Sequence, residues 1–258
     1  MTARRFRAVV FDLDDTLYPE SQFVLSGFRA VARYVHKMYG IDIYPALAER
    51  YAAGERGNLI ASAMQERFRV VEPLLIQKLA EIYRCHYPKI ELFQDARVGL
   101  ALLSGRRIRI GLVTDGYGCV QKNKVEALGL APLIDSMVFA DDLGGEEYWK
   151  PSPEPFFILA LQLELDPGQM AYVGDNASID FLGPRKIGMA TIHLVRKGAE
   201  YASVQPPTPA HAPHLRIGSL NSILQALAEL EQREWPPQGG SEKTADMPEQ
   251  PPSRDNPT

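Results

Sequence analysis

The sequence predicts an α/β protein: a Rossmann-like core on a parallel sheet, with an all-helical segment inserted near its start. Three observations predict it. Short apolar runs ending in polar or acidic clusters recur along the chain. After Asp95 these runs alternate with helical patterns, the rhythm of a parallel sheet with helices on both faces. From Ser21 to about Tyr87 the apolar residues follow a helical period with no convincing strand between them. The length of 258 residues and the hydrophobic share of 45% suit one large domain or two small ones, and exclude wholesale disorder.

Ala8–Phe11 reads as the first buried strand. Phe23, Val24, Phe28, Val31, Ala32 and Val35 recur at spacings of three and four, as do Leu74, Leu75, Leu79, Ile82 and Tyr83. Gly54 to Gly57 breaks the chain between helices. Strands are predicted at Ile108–Val113, Met137–Ala140, Ala171–Val173 and Ala190–Leu194, with helices over Val120–Leu128, Pro153–Leu163 and Ile179–Ile187. Val204 to His214 is proline-rich and reads as a surface loop. Leu215–Ile217 suits an edge strand, and Ser219 the cap of a last helix through about Glu231. From Pro236 to Thr258 the chain has almost no apolar residues and reads as a disordered tail. No internal repeat is found. The expected division is a core over 1–18 and 92–232, a helical cap over 19–91, and a tail over 233–258.

The formal net charge of −4 gives no basis for a nucleic-acid partner. The two cysteines, Cys85 and Cys119, are too few for a disulfide framework and form no CxxC pattern. No segment approaches the roughly 20 apolar residues that span a bilayer. The basic N-terminus lacks the apolar core of a signal peptide, because Asp12, Asp14 and Asp15 interrupt it. A cytoplasmic protein without a membrane partner is expected; the oligomeric state is not encoded in any pattern found.

Four clusters carry chemistry. In the first, a strand delivers Asp12 and Asp14 onto a tight loop followed by Asp15, Thr16 and Leu17. Asp12 can attack an electrophile and Asp14 can protonate a leaving oxygen. Crowded carboxylates repel, and a hard, oxygen-seeking ion such as Mg²⁺ is their natural partner. In the second, a strand ends in Thr114, Asp115 and Gly116, whose hydroxyl and backbone N–H groups can bind phosphate oxygens. In the third, Lys150 precedes Pro151, held extended by it, with Ser152 as helix cap and Pro153 at the first helical position. In the fourth, Gly174, Asp175 and Asn176 end a strand and Asp180 follows; Asp175 can complete a carboxylate site, and Asp180 can pair with Lys150. Each cluster alone also suits an ordinary turn, cap or solvated loop. Together, at the ends of successive strands, they can converge on one edge of the sheet.

These four motifs, the DxDxT loop at Asp12–Thr16, the strand-ending Thr114, the lone Lys150 and the GD(x)nD loop at Gly174–Asp180, resemble those of the haloacid dehalogenase-like hydrolase superfamily. The resemblance covers about residues 6 to 195, the helical insert standing where that superfamily carries a helical cap. It implies phosphoryl transfer: Asp12 as nucleophile forming a phospho-aspartate, Asp14 as acid and then base, and phosphoryl oxygens held by Thr114, the Asp115 N–H and Lys150. It implies Mg²⁺ held by Asp12, Asp175 and the backbone carbonyl of Asp14, with Asp115, Gly116, Asn176 and Asp180 in support. Family dehalogenases lack an Asp at the position of Asp14, so its presence implies a phosphatase acting on a small phosphorylated metabolite, a sugar phosphate or a nucleotide. A phosphoglucomutase-type enzyme is the alternative, although family mutases read DxDGV where this chain has Asp14-Asp15-Thr16-Leu17. A non-catalytic binding protein is the other. At Asp115 many relatives carry Asn; only its backbone is expected to matter.

His211 and His214 are spaced as metal ligands can be, but lie in the proline-rich loop, and all five histidines are expected to be structural. Tyr34, Tyr39, Tyr44, Tyr51 and Tyr83 are expected in the core or groove of the insert. Arg29, Arg33, Arg50, Arg56, Arg67 and Arg69 are candidates for contact with an anionic substrate.

Overall fold

The protein is described from a computed structural model that covers residues 5–68 and 71–233. Strand β1 (Ala8–Phe11) is buried at every position. Four helices follow: α1 (Glu20–Tyr39), α2 (Tyr44–Ala52), α3 (Leu59–Arg67) and α4 (Pro73–Cys85). The chain then alternates through α5 (Gln94–Gly105), β2 (Arg109–Thr114), α6 (Gly118–Ala127), β3 (Ser136–Phe139), α7 (Glu154–Gln162), β4 (Met170–Gly174), α8 (Leu182–Lys186), β5 (Ala190–Leu194), β6 (Leu215–Ile217) and α9 (Ile223–Gln232). These strands form one sheet in the order β3-β2-β1-β4-β5-β6, and every pairing is parallel.

Alternation along β1 sends Val9 and Phe11 to one face and Ala8 and Val10 to the other. The first pair packs with Leu100 of α5, Val125 of α6 and Leu227 of α9. The second packs with Phe156 and Leu159 of α7 and with Phe181. A sheet covered on both faces explains why its central strands are uniformly apolar rather than alternating. Helices α1–α4 have a hydrophobic cluster of their own, in which Phe28, Val31 and Val35 meet Leu47, Met64 and Leu79.

The register sets the functional edge. Phe11 lies opposite Leu112 of β2 and Val173 of β4. Asp12, Thr114 and Asp175 therefore leave three adjacent strands at the same end, and the Asp12 N–H is held by the Val173 carbonyl at 2.9 Å. Strand order reverses beside β1, where a crevice is expected in a doubly wound sheet.

Several local readings need correction. Helix α5 is absent from the sequence-predicted elements; its buried Ala96, Gly99, Leu100 and Leu103 give it only a short apolar stripe. The helix expected over Ile179–Ile187 is only Leu182–Lys186, because Asn176 turns the preceding segment, its Oδ1 accepting from Ser178 N at 3.0 Å and Ser178 Oγ at 2.6 Å. Ser152 does not cap α7: Pro153 stands at the cap and the Ser152 hydroxyl turns to Glu154. The Lys150–Pro151 bond is cis. Ser219 caps a short 3₁₀ turn, accepting from Asn221 N at 3.2 Å, and α9 begins after it. Beyond Arg233, the predicted tail lies outside the described residues, as does Arg69.

Candidate active site

The carboxyl ends of β2, β1 and β4 open into a cavity of 380 Å³ lined by Asp12, Asp14, Thr114, Lys150, Asp175 and Asp180, among others. The predicted catalytic, metal-binding and supporting residues, Asp115, Gly116 and Asn176 included, thus come together, whereas none of the described candidate arginines of the insert lines this cavity. A larger cavity, 980 Å³, sits at the other end of the sheet beside Arg107, Arg109 and Asp135, where no such constellation occurs.

Lys150 is its electrostatic centre. Its Nζ donates to Asp180 Oδ1 at 2.8 Å and to the Tyr172 hydroxyl at 3.2 Å, and pairs with Asp12 Oδ1. Lys150, Asp12 and Asp180 are all buried. Burial disfavours the charge on Lys150, but Asp12 and Asp180 outweigh it and hold the ammonium well above its usual range. Asp180 is itself fixed: it accepts from Tyr172 at 3.1 Å and from the Asn176 N–H at 2.8 Å. Gly174 is required by this contact, since a Cβ there would overlap the Asp180 carboxylate.

Asp12 feels opposing pulls. Burial pushes its carboxyl up, Lys150 draws it down, and Asp180 and Asp14 push it up again, so that it lies above the usual carboxylate range. Asp175 is pushed to about 9 by burial and by the charges of Asp180, Asp12 and Asp15. Its Oδ2 is buried without a hydrogen-bond partner. Two buried carboxylates on one cavity, one carrying an orphaned oxygen, are what a hard divalent cation would satisfy. The donor set fits Mg²⁺. Among the described residues, no three His, Cys, Asp or Glu side chains gather around one point as a ready-made cage. A site here needs backbone or solvent oxygens, as Mg²⁺ commonly uses.

Asp14 faces a different set of partners from those expected of a free acid. Lys124 Nζ donates to its Oδ1 at 2.7 Å and Oδ2 at 2.9 Å, Gln121 Nε2 donates to Oδ2 at 2.9 Å, and the Tyr18 hydroxyl donates to Oδ1. Burial raises the Asp14 carboxyl, but Lys124 and these hydrogen bonds overcome it and leave it below its usual value. Its backbone carbonyl accepts from Thr16 N at 2.6 Å.

The second loop is held by the same helix. Thr114 Oγ1 accepts from Gln121 Nε2 at 2.6 Å. Gly116 supplies the left-handed turn, φ 92°, that leads into α6. Asp115 contributes more than its backbone: both carboxylate oxygens accept from Lys150 N at 3.1 Å, joining the second and third motifs. An Asn carbonyl would serve equally as acceptor.

Sequence reasoning missed Lys124, Gln121, Tyr172 and His193. Gln121 and Lys124, three residues apart, are neighbours on one face of α6. Two buried polar residues in a helix beside a motif were the available signal. His193 Nε2 donates to the Asp175 carbonyl at 2.8 Å and so holds that loop. His211 Nδ1 and His214 Nδ1 bond the hydroxyls of Thr208 and Thr191. Arg29 and Arg56 stack over Tyr44 and Tyr51, and Arg50 pairs with Glu55 and Glu66.

Comparison with known proteins agrees with this architecture. Residues 9–194 match the haloacid dehalogenase-like hydrolases. The chain is 26% identical to the glyceraldehyde 3-phosphate phosphatase of Methanopyrus kandleri, over 87% of this chain and 98% of that protein. It is 27% identical to the phosphoserine phosphatase of Thermus thermophilus, over 86% and 99%. A family hydrolase of Deinococcus radiodurans, solved with bound phosphate and sodium, shares the fold with a TM-score of 0.62 at 18% identity, over 89% of this chain and 98% of that one. A magnesium-bound hydrolase of Bacillus subtilis gives 0.59 at 18% identity, over 86% and 99%. With the match spanning five of the sheet's six strands, β1 to β5, and all four motif loops, the chain belongs to the haloacid dehalogenase-like hydrolase family.

Proposed function

We propose that the protein is a Mg²⁺-dependent phosphatase that hydrolyses a small phosphate monoester through a phospho-aspartate on Asp12. The observation that carries this reading is the Asp12–Lys150–Asp180 array, which places a carboxylate beside a fixed ammonium at the mouth of three strands. The relatives named phosphatases support it. They act on chemically different small phosphates by their names, so the leaving group is left to the cavity, where Glu20, Trp149 and Tyr201 complete the lining.

Lys150, the Thr114 hydroxyl and the Asp115 N–H hold the phosphoryl oxygens and neutralise their charge. An Asp12 oxygen forms a bond to phosphorus as the ester oxygen departs, and Asp14, once released from Lys124 and protonated, gives that oxygen its proton. Asp14 then takes a proton from water, whose oxygen attacks phosphorus and releases phosphate from Asp12. Asp14 leaves Lys124 to do this; Tyr18, the last core residue before the insert, holds the same carboxylate, and Lys124 lies 4.5 Å over Phe23 of α1, which couples that movement to the cap. Mg²⁺, held by Asp12, Asp175 and the Asp14 carbonyl, supplies positive charge at the transferring group. The core over 1–18 and 92–232 carries the chemistry, and the helices over 19–91 close on it and exclude water. Among the described residues no helix is long and apolar enough to cross a membrane. That its substrate is a cytoplasmic metabolite is part of the same proposal.

The test is phosphate release from a panel of sugar phosphates, nucleotides and phosphorylated acids, with Mg²⁺, with chelator, and with Asp12→Asn. Release that needs both Mg²⁺ and Asp12 is expected. No release from any compound, or isomerisation without free phosphate, overturns the reading.

A further inference from the structure

Neither cysteine takes part in the site above, yet the fold brings the pair together. Cys85 is the last residue of α4, in the helical insert, and Cys119 lies in the first turn of α6, in the sheet domain. They are the chain's two cysteines; both are free and exposed. Helix α4 rests on α6, and the two thiols are neighbours across that boundary, where burial and then the nearby Cys119 push the Cys85 thiol up. Arg84, the residue before Cys85, lies 5.0 Å over the ring of Tyr117, two residues before Cys119 and just ahead of α6. A surface cavity of 670 Å³ runs beside both thiols and admits a small reagent.

We infer that Cys85 and Cys119 form a dithiol oxidation site whose disulfide staples the helical insert to the sheet domain. The oxidant is a low-molecular-weight disulfide, RSSR. One protein thiolate attacks it, forming a mixed disulfide and releasing RS⁻, which takes up the proton the protein thiol gave up. The second protein thiolate attacks the protein sulfur of that mixed disulfide, closing the Cys85–Cys119 bond and releasing the other RSH. Two protein thiols are oxidised, and RSSR is reduced by two electrons to two RSH. Exposure of both thiols and their proximity favour closure over a persistent mixed disulfide.

The staple bears on activity through position. Helix α6 carries Gln121 and Lys124, which hold Thr114 and Asp14, and Tyr117 packs edge-on against Trp149, beside Lys150, with ring centroids 6.3 Å apart. Helix α4 carries Tyr83, which packs on Phe23 and Phe28 of α1. A bond between them fixes the insert over the cavity. This consequence rests on the phosphatase reading, in which the insert opens and closes at each turnover.

The experiment treats the full chain with oxidised glutathione, without denaturant, beside Cys85→Ser and Cys119→Ser. Expected are loss of both titratable thiols, a peptide linking residues 85 and 119, a monomeric product, and a fall in phosphate release of about tenfold or more, since lid motion commonly limits turnover. A thiol reductant restores the rate, and both single variants keep theirs under oxidant. Persistent mixed disulfides without the 85–119 link, or cross-linked dimers, overturn the inference; so does a linked protein whose rate is unchanged. If the reduced enzyme hydrolyses nothing on the panel, the phosphatase reading fails separately. The staple is then read by mass and by hydrogen exchange over α1–α4, where slower exchange supports it and unchanged exchange overturns it.

Discussion

Lys124 grips Asp14 with both carboxylate oxygens, at 2.7 and 2.9 Å, from the buried face of a helix that no motif includes. The DxDxT loop is thereby held from the side by α6 as well as from below by β1. Lys124→Met leaves Asp14 next to a buried apolar surface without its cation. Breaking such a pair costs about 3 kcal/mol where one partner keeps some solvent. Urea unfolding is expected to show that loss, and phosphate release to fall with it; Lys124→Arg is expected to recover part of both. Unchanged stability in Lys124→Met would show that the contact carries no weight.

Asp180 positions Lys150 without reaching the phosphoryl group in the proposed mechanism. Asp180→Asn keeps the size of the side chain, but its amide cannot accept from Lys150, Tyr172 and Asn176 N together. The ammonium loses its fixed position, and a displaced catalytic group costs about 10²-fold. The expected result is that fall in kcat with the circular dichroism spectrum and KM retained. A variant with wild-type kcat contradicts the role.

Without a divalent ion, Asp175 opposes the fold at neutral pH. Its pKa rises from 3.8 in the unfolded chain to about 9 in the folded one, so the folded state binds its proton more tightly. The associated stability is present below about pH 4 and lost as pH rises through about 9. In chelator, Asp175→Asn is therefore expected to be more stable than the parent at pH 8 and to lose the Mg²⁺-dependent gain in melting temperature. Equal Mg²⁺ stabilisation of both proteins would remove Asp175 from the ion site.

His214 gives a pH dependence of opposite sign, far from the site. Its Nδ1 accepts from Thr191 N at 2.9 Å, and burial, with Arg185 and Arg233 nearby, lowers its pKa from 6.5 to about 4. The folded state binds this proton more weakly, so its contribution is complete above about pH 6.5 and is lost as pH falls through about 4. Asn at this position keeps an acceptor and removes the titration. Parent and His214→Asn unfolding curves are expected to converge in stability as pH falls across that window; parallel pH profiles would exclude the effect.

The sequence by itself determined the parallel α/β core, because strands buried on both faces must be short and apolar and must end in polar loops. Ala8–Phe11, Ala190–Leu194 and Leu215–Ile217 are strands over the predicted spans, and the four motif loops converge as their spacing implied. That convergence was legible because parallel connection puts every strand's carboxyl end on one edge. Helix α5 was not legible, since its apolar residues fall on more than one face, Val98 and Leu102 being exposed, and its packing on the sheet supplies the energy its pattern does not advertise. Nor was the Lys124–Asp14 pair, 110 residues apart in the chain: a local pattern reports faces and ends of elements, not which distant side chain will lie opposite. The side-chain contact of Asp115 with Lys150, the orphaned oxygen of Asp175 and the meeting of Cys85 with Cys119 belong to the same class. Each depends on how separate elements pack, and packing is settled by the burial of the whole chain rather than by any one segment of it.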